Sequence, residues 1–524
     1  MTGFRGLTIK LSTTGFKRNH FMSRLSKLTA PPAIVIANLA LVFFAACFFY
    51  QQPAFITSDL GRHLKNGEII LASHRVPQTN TYSYTNADFP TITHHWSTGI
   101  IFYLIFRQFD FAGLALFNLA ILTGAFAICL LLAHRIHPEL SLPIGFLSLP
   151  LYVTRTEIRP EAASYLFFSI FLFILSSVQS KKLSVKWLYF LPLLSLLWVN
   201  LHIYFILGIC LVGLFWLQAF WTKSKLTRAL THTLVACSLI SLINPFGLRG
   251  LLAPFTIFNN YDFPIGENQT IFTILRVIPN PRYDQSEALA FFSFAAVIVW
   301  LGRRGLGRAN WHLVLLVVFA AASLWMVRHV AIFGLVFLVS GTWIVSELVN
   351  FYLKKPNKLL LLANLLCLIL IALFLLVPGS YYSPWTQKSG LKLTPEVTGI
   401  GNYLITNNVA GPIFNDFDIG SYLDYYLYPK ERVFVDNRPE AYPPGFFRDI
   451  LMPALTEEFA WQDLDNQYRF NAIVLSTETK SPVTLNFITR RRVDPDWKVA
   501  YENTLGIIFI KNTSANSPLI RAVE

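Results

Sequence analysis

The chain has 524 residues, of which 54% are hydrophobic and only 14% are charged, and its mean hydropathy is +0.48. Soluble domains usually carry about 25% charged residues, so this composition excludes an ordinary soluble protein and indicates an α-helical membrane protein. The formal net charge is +14, but the basic residues lie in short loops between apolar stretches rather than on one face, which argues against nucleic-acid binding.

Apolar stretches long enough to span a bilayer follow one another along most of the chain. Residues 1–30 form a basic segment, which we interpret as a cytoplasmic arm ahead of a retained anchor. A hydrocarbon core of about 30 Å needs about 20 apolar residues in a helix. We therefore interpret residues 31–379 as a transmembrane domain of about eleven spans. The spans lie near 31–50, 111–133, 141–154, 160–178, 187–200, 203–221, 229–244, 286–302, 311–326, 329–350 and 358–377.

The distribution of Lys and Arg among the loops predicts the topology. Counting eleven spans places the N-terminal arm and four basic loops on the cytoplasmic side, as the positive-inside rule requires. These loops are 181–186, 223–228, 303–308 and 354–358. Counting the short apolar segment 96–106 as a twelfth span would move all four outside, so we expect an interfacial helix there. Residues 380–524 then lie outside the cytoplasm, beyond the inner (plasma) membrane.

The first outer loop, residues 51–110, opens with a helix-start pattern. Ser58 and Asp59 are residue types that cap helices, and Leu60 and Leu64 begin an apolar stripe. The pattern predicts an amphipathic helix in the membrane interface, with its N-terminus near the membrane exit. A carboxylate at Asp59 would be stabilised by the positive end of the helix dipole.

Ionisable side chains gather in the other outer turns as well. Burying polar groups in hydrocarbon costs several kcal/mol, yet several of these very short turns contain Arg, His or Asn. Because the turns share one side of the membrane, we predict that they line one outer cavity. The candidate substrate-binding residues are His63, His95, Arg155, Arg159, His202, Arg328 and His329.

The overall layout resembles the GT-C superfamily of membrane glycosyltransferases. One span is followed by a long outer loop that opens with Asp59, then by further spans and an outer C-terminal domain. Short motifs occur in the same order as in a group of bacterial members. They are Asp59 with His63 and Gly67, His95-Trp96, Arg159-Pro160, and the segments 198–202, 244–247, 414–416 and 434–438.

This resemblance implies a donor sugar on a polyprenyl phosphate or pyrophosphate, transferred to a hydroxyl of a glycan, lipid or protein. In that superfamily the acid of the first outer loop serves as general base or metal ligand, a role that passes to Asp59. Many members have a paired acid, whereas Leu60 follows Asp59 here. No cofactor is therefore certain, and a divalent metal stays an open alternative, with His63, His94 and His95 as further ligand candidates. The Trp-Trp-Asp motif of oligosaccharyltransferases is absent, because Trp461-Gln462-Asp463 does not match it.

The chemistry of the departing phosphate singles out the arginines. A guanidinium binds phosphate oxygens in pairs, so Arg155, Arg159 and Arg328 are the phosphate candidates. His202 and His329 are candidate hydrogen-bond donors.

The last 145 residues differ from the rest of the chain. Residues 380–524 contain 14 Lys and Arg against 17 Asp and Glu, and apolar runs alternate there with helical patterns. This alternation predicts a small α/β domain, with apolar runs at 412–414, 422–428, 432–435, 472–476, 498–501 and 506–510. Its acidic residues Asp416, Asp418, Asp424 and Asp436 are typical of turns and caps, and alternatively contribute to acceptor recognition at the outer cavity.

Two other classes of function stay open from the sequence. One is a lipid or polysaccharide transporter (a flippase), and the other is a non-catalytic envelope scaffold. Transporters often have ionisable groups near the bilayer midplane and internal repeats, whereas this sequence has no mid-span carboxylate and no clear repeat. The long first outer loop and the outer C-terminal domain favour the glycosyltransferase.

Overall fold

The computed structural model describes residues 32–56, 58–257, 263, 265–305, 310–352, 357–385, 389–478 and 481–521. The predicted basic arm, residues 1–30, lies outside the described residues, as do parts of the basic loops at 303–308 and 354–358.

Helices α1 to α15 form the membrane domain. They are α1 Pro32–Phe49, α2 Leu60–Ser73, α3 Trp96–Ile136, α4 Pro138–Tyr152, α5 Glu161–Gln179, α6 Leu191–Leu201, α7 Phe205–Trp221, α8 Thr227–Ile240, α9 Leu248–Thr256, α10 Ile271–Val277, α11 Pro281–Arg304, α12 Trp311–Trp325, α13 Val330–Val336, α14 Thr342–Tyr352 and α15 Asn357–Leu376. Apolar residues from many of these helices pack into one large core.

Each apolar stretch that the sequence predicted as a span contains a helix. Within the described residues, six helices are long and apolar enough to cross a membrane, and three further apolar helices are shorter. The six are Pro32–Phe49, Trp96–Ile136, Glu161–Gln179, Pro281–Arg304, Val327–Tyr352 and Lys358–Leu376. These lengths agree with a polytopic helical membrane protein, whereas the number of about eleven crossings stays a prediction.

Helix α3 contains a break at Asp110. This residue has a φ of 55° and a ψ of −162°, which are not helical angles. The break separates the segment 96–106, predicted as an interfacial helix, from the span predicted to begin at residue 111.

The C-terminal domain is a small α/β domain, as the sequence predicted. Its elements are α16 Pro395–Thr406, β1 Ile413–Asn415, α17 Gly420–Leu427, α18 Met452–Thr456, α19 Glu458–Tyr468, β2 Ala472–Ser476, α20 Pro482–Val493, β3 Trp497–Asn503, β4 Gly506–Lys511 and α21 Ser517–Arg521. The strand order is β1-β2-β4-β3; β1 and β2 are parallel, and the other pairs are antiparallel. Alternate strand residues pack into two cores, so the sheet is covered on both faces.

Two of the apolar runs of this domain do not form strands. Residues 422–427 belong to helix α17, in which Leu423 and Leu427 are buried one turn apart. Residues 432–435 form no strand of the sheet, and Val433 makes only isolated bridges to Ser83 and Ile413. A short apolar run does not by itself distinguish a strand from a buried helix, and here the tertiary packing decides.

Helix α2 lies between the membrane domain and the C-terminal domain. Leu60 and Leu64 are buried in a core that includes residues of α17. A Cβ on Gly61 would collide with the carbonyl oxygen of Ser421, and one on Gly67 would collide with that of Gly99. Glycine is therefore required at both contacts. The predicted helix forms, but its apolar face packs against protein rather than lipid, because α17 and α3 cover it.

Candidate functional site

A cavity of about 430 Å³ lies between the membrane domain and the C-terminal domain. Its walls come from segments that are far apart in sequence but meet at one end of the helix bundle. These segments are the start of α2, the turn before α3, the start of α5, the turn between α6 and α7, residues 265–267, the turn before α13, and residues 437–440.

The structure brings most of the predicted site residues together at this cavity. Those that line it are Asp59, His95, Arg159, His202 and Arg328. Three others do not line it, namely His63, Arg155 and His329. His63 is fully buried with its ring 5.4 Å from that of His95, and the ring of His329 lies 6.2 Å from that of Tyr204. Arg155 contacts the cavity wall through its ion pairs with Glu267 and Glu161, both of which line the cavity.

Asp59 stands at the start of α2, but its side chain does not cap the helix. The Oγ atom of Ser58 accepts the backbone N–H of Leu60 instead, at 3.3 Å. The carboxylate of Asp59 is 29% exposed, and its Oδ1 atom lies 3.6 Å from Nη2 of Arg62. The side-chain amide of Asn437 donates to the same oxygen at 2.5 Å. The carboxylate of Asp59 therefore contacts Arg62 of helix α2 and Asn437 of the C-terminal domain, and it is partly exposed to the cavity.

The groups around Asp59 do not fit a divalent metal ion. Metal ions of this kind need several oxygen or imidazole ligands, whereas Asn437 and Arg62 both present N–H groups to Oδ1. Among the described residues, no group of three or more His, Cys, Asp or Glu side chains is placed to hold a metal.

Three arginines converge on the carboxylate of Glu267. Its Oε1 atom accepts from Nη1 of Arg155 at 2.8 Å and from Nη1 of Arg159 at 2.6 Å, while Oε2 accepts from Nη2 of Arg328 at 3.1 Å. Burial raises the pKa of Glu267, but the arginines outweigh this effect and hold its pKa well below the usual value. Glu267 is therefore ionised at neutral pH.

The three arginines differ in how completely their charge is paired. Arg155 also lies 3.5 Å from Glu161, and Arg159 also donates to Glu157 at 2.6 Å. For Arg328 the ion pair with Glu267 is the one found among the described residues, and its buried Nε atom has no hydrogen-bond partner there. Arg328 is therefore the least compensated of the three cations.

The histidines at the cavity are neutral. Burial lowers the pKa of His94 to about 4, and burial also holds the pKa of His95 well below its usual value. They therefore offer hydrogen bonds but no positive charge at neutral pH.

The tautomer of His202 follows from its neighbours. The backbone N–H of Tyr204 donates to Nδ1 of His202 at 3.4 Å. The hydroxyl of Ser164, which accepts the indole N–H of Trp198 at 2.8 Å, lies 2.8 Å from the same nitrogen and donates to it. Nδ1 accordingly accepts, and Nε2 carries the ring proton. His202 is thus set to act as a hydrogen-bond donor.

The C-terminal domain contributes residues for which the sequence gave no role, namely Asn437, Arg438 and Glu440. Arg438 binds the fully buried Asp436, with Nη2 and Oδ2 2.5 Å apart, and also donates to Oδ1 of Asn80 at 2.8 Å. The one sequence signal for this wall was the polar run 436–438 directly after the apolar residues 433–435. Glu267 was visible as an outer-loop acid, but no spacing pointed to its arginine partners.

The acidic residues of the C-terminal domain divide into two groups. Asp418 lines the cavity, whereas Asp416, Asp424 and Asp436 are buried. Asp416 accepts the backbone N–H groups of Ile419 and Ser476, each at 3.1 Å, which is the turn and cap role that the sequence indicated. Trp461, which the sequence had set apart from the oligosaccharyltransferase motif, lies in the core of the domain and does not reach the cavity.

No family model matches the sequence, and no curated protein matches it. Solved structures do match. The apo crystal structure of the Archaeoglobus fulgidus oligosaccharyltransferase aligns with 86% of this chain and 71% of its own, with a TM-score of 0.54 and 11% sequence identity. The chain shares its overall fold with this oligosaccharyltransferase. This finding confirms the fold that the resemblance implied, and at such identity it concerns the fold alone.

Two further structures of that enzyme align over similar lengths. Archaeal AglB in complex with an inhibitory peptide and a dolichol-phosphate covers 90% of this chain and 71% of its own, with a TM-score of 0.52 and 12% identity. The form tethered to an acceptor peptide that contains the NVT sequon covers 91% of this chain and 74% of its own, with a TM-score of 0.54 and 11% identity.

Proposed function

We propose that this chain is a multi-pass membrane glycosyltransferase. It transfers a sugar from a polyprenyl-phosphate-linked donor to a hydroxyl group of an acceptor on the extracytoplasmic side of the membrane. One observation carries the proposal: Asp59 and the arginine cluster of Arg159 and Arg328 line the same cavity at one end of an oligosaccharyltransferase-like bundle.

The partly exposed carboxylate of Asp59 suits a general base. It accepts the proton of the acceptor hydroxyl as the oxygen attacks C1 of the sugar, a contribution that is typically about 10²- to 10⁴-fold. A new bond forms between C1 and the acceptor oxygen. The bond between C1 and the donor phosphate oxygen breaks, and the phosphate leaves with the electron pair.

The arginine cluster suits the departing phosphate. Glu267 already occupies three guanidinium groups with two carboxylate oxygens, which shows that the cluster binds an anion at this position. A phosphate offers a similar set of oxygens and more charge. In our proposal, the donor phosphate takes the place of Glu267 on Arg328, the arginine with the fewest other partners, and His202 adds a hydrogen bond. The AglB complex with dolichol-phosphate supports a lipid-phosphate donor for this fold.

The test is transfer of sugar from radiolabelled polyprenyl-phosphate sugars in membranes that carry the wild type or Asp59→Asn at matched expression. Asp88→Asn is the control, because Asp88 is an exposed acid of the same outer loop. We expect transfer by the wild type and the control, and a loss of about 10²-fold or more in Asp59→Asn.

Each other outcome has a distinct meaning. Equal transfer by the wild type and Asp59→Asn would still support a glycosyltransferase, but it would show that Asp59 is not the general base. The absence of transfer with every polyprenyl-phosphate donor would contradict the glycosyltransferase and favour a flippase or a scaffold, which lipid-flipping assays would then separate.

A further inference from the structure

The segment 434–438 was part of the sequence resemblance, but the proposed reaction gives it no role. The structure places it against the start of α2, although Asn437 and Asp59 are 378 positions apart in the sequence. This contact joins the C-terminal domain to the proposed base.

The amide of Asn437 has only one orientation that satisfies its neighbours. An ionised carboxylate only accepts hydrogen bonds, so the NH₂ group must face Asp59, and Nδ2 lies 2.5 Å from Oδ1. The amide oxygen then faces the Oγ atom of Ser421, which donates to it at 2.5 Å. Ser421 is fully buried in α17. Its hydrogen bond therefore holds the amide oxygen of Asn437 in place on the side away from Asp59.

The backbone around Asn437 is fixed as well. The side chain of Asn415 accepts the N–H of Phe434 at 2.9 Å and donates to the carbonyl of Val435 at 2.6 Å. The hydroxyl of Tyr442 accepts the N–H of Asp436 at 2.7 Å. Such a network of buried hydrogen bonds holds a loop in one conformation, so Asn437 approaches Asp59 from a rigid support.

We infer that Asn437 is a positioning residue for Asp59, and that the C-terminal domain thereby completes the catalytic site. This inference rests on the proposed function. The amide of Asn437 and the guanidinium of Arg62 both approach Oδ1 of Asp59, so Oδ2 is the oxygen that takes the proton of the acceptor.

The test compares Asn437→Ala with Asn437→Asp in the full chain. Aspartate keeps the shape of the residue and an oxygen for Ser421, but it places a second carboxylate against Asp59. If Asn437 acts only through packing, the isosteric Asp variant should be the milder one. We expect the reverse order. The alanine variant should lose about 10- to 100-fold in kcat with little change in KM for the donor, and the aspartate variant should lose more.

Asn512→Asp, the same change at an exposed position of the same domain, is the control, and it should match the wild type. Thermal unfolding is measured for both Asn437 variants, and kcat is compared at a temperature at which each variant is fully folded. An aspartate variant as active as the alanine variant, or kcat within twofold of the wild type in both, would overturn the inference.

A second readout does not depend on activity. Water-soluble carbodiimides modify carboxyl groups that the reagent can reach, and mass spectrometry locates the product. The side chain of Asn437 covers Oδ1 of Asp59, so we expect Asp59 to be modified faster in Asn437→Ala than in the wild type, with exposed Asp88 as the internal reference. Unchanged modification of Asp59 would refute the positioning role, whereas faster modification without any transfer by the wild type would refute only the proposed glycosyltransferase.

Discussion

On the membrane-domain wall of the cavity three arginines share one carboxylate, whereas on the C-terminal wall one arginine holds a carboxylate of its own. Glu267 divides two oxygens among Arg155, Arg159 and Arg328. Arg438 makes its ion pair with the fully buried Asp436 and adds Asn80. Arg155 and Arg159 each have a second acidic partner, so Arg328 is the arginine of this wall with the weakest charge pairing. On the other wall, the charge of Arg438 holds the loop that contains Asp436.

This difference shows that the presence of an arginine at a cavity does not identify a phosphate ligand. A guanidinium whose donors are already taken by a buried carboxylate must lose strong hydrogen bonds before it can bind another anion. A guanidinium that shares its carboxylate loses less. Arg328 and Arg438 both line the cavity, and by this argument we propose a donor-binding role for Arg328 alone.

Arg438→Ala should have the largest effect on stability. The substitution leaves Asp436 buried without its charge partner, which typically costs about 3–5 kcal/mol. The free energy of unfolding of the C-terminal domain, followed by urea-dependent proteolysis, should fall by about this amount. Arg448→Ala is the matched control, because the pair of Arg448 with Asp449 is exposed and such pairs contribute about 0–1 kcal/mol. Equal effects of the two substitutions would show that the buried pair does not hold this wall.

Arg328→Ala should mainly weaken the donor. A hydrogen bond to a charged group contributes about 1.5–3 kcal/mol, so we expect kcat/KM for the polyprenyl-phosphate sugar to fall by about 10- to 100-fold. The exposed Arg276 provides the control substitution Arg276→Ala, which should leave kcat/KM unchanged. A normal kcat/KM in Arg328→Ala would show that Arg328 does not bind the donor phosphate, and the two arginines of the two walls would then not differ in this respect.

Glu267→Gln should have the smallest effect and the opposite sign. The substitution removes the negative charge that occupies the arginines but keeps the size of the side chain. A ligand no longer has to displace a bound carboxylate, so its apparent affinity rises. We expect the Kd of polyprenyl phosphate to fall by about threefold to tenfold, measured by equilibrium binding in detergent. Weaker binding would mean that Glu267 organises the arginines for the phosphate rather than competing with it.

Much of the membrane architecture could be predicted from the sequence. The apolar runs at 31–50, 160–178 and 358–377 are long enough to specify helices without any knowledge of their neighbours, and the helices Pro32–Phe49, Glu161–Gln179 and Asn357–Leu376 follow them closely. The run at 422–428 was too short for this, and it formed α17 because its leucines pack beneath α2.

The candidate site could be predicted only in part. Arg159, His202 and Arg328 were recognisable because polar residues in short outer turns conflict with their apolar surroundings. Asp59 was recognisable from the helix-start pattern at the opening of the first outer loop. Glu267 and Asn437 lacked that contrast, since each lies in a segment with several other polar residues. Their importance comes from their partners, which lie in other turns and in the other domain.

The sequence by itself determined that the chain is a polytopic helical membrane protein with a small α/β domain, and it predicted that ionisable residues of the outer turns line one cavity. The lengths and spacing of apolar runs specify these features, because the cost of exposing polar groups to lipid acts on each segment separately. Only the tertiary structure decided which arginines share Glu267 and which amide holds Asp59. Such contacts depend on how separate elements pack together, and local sequence patterns do not specify that packing.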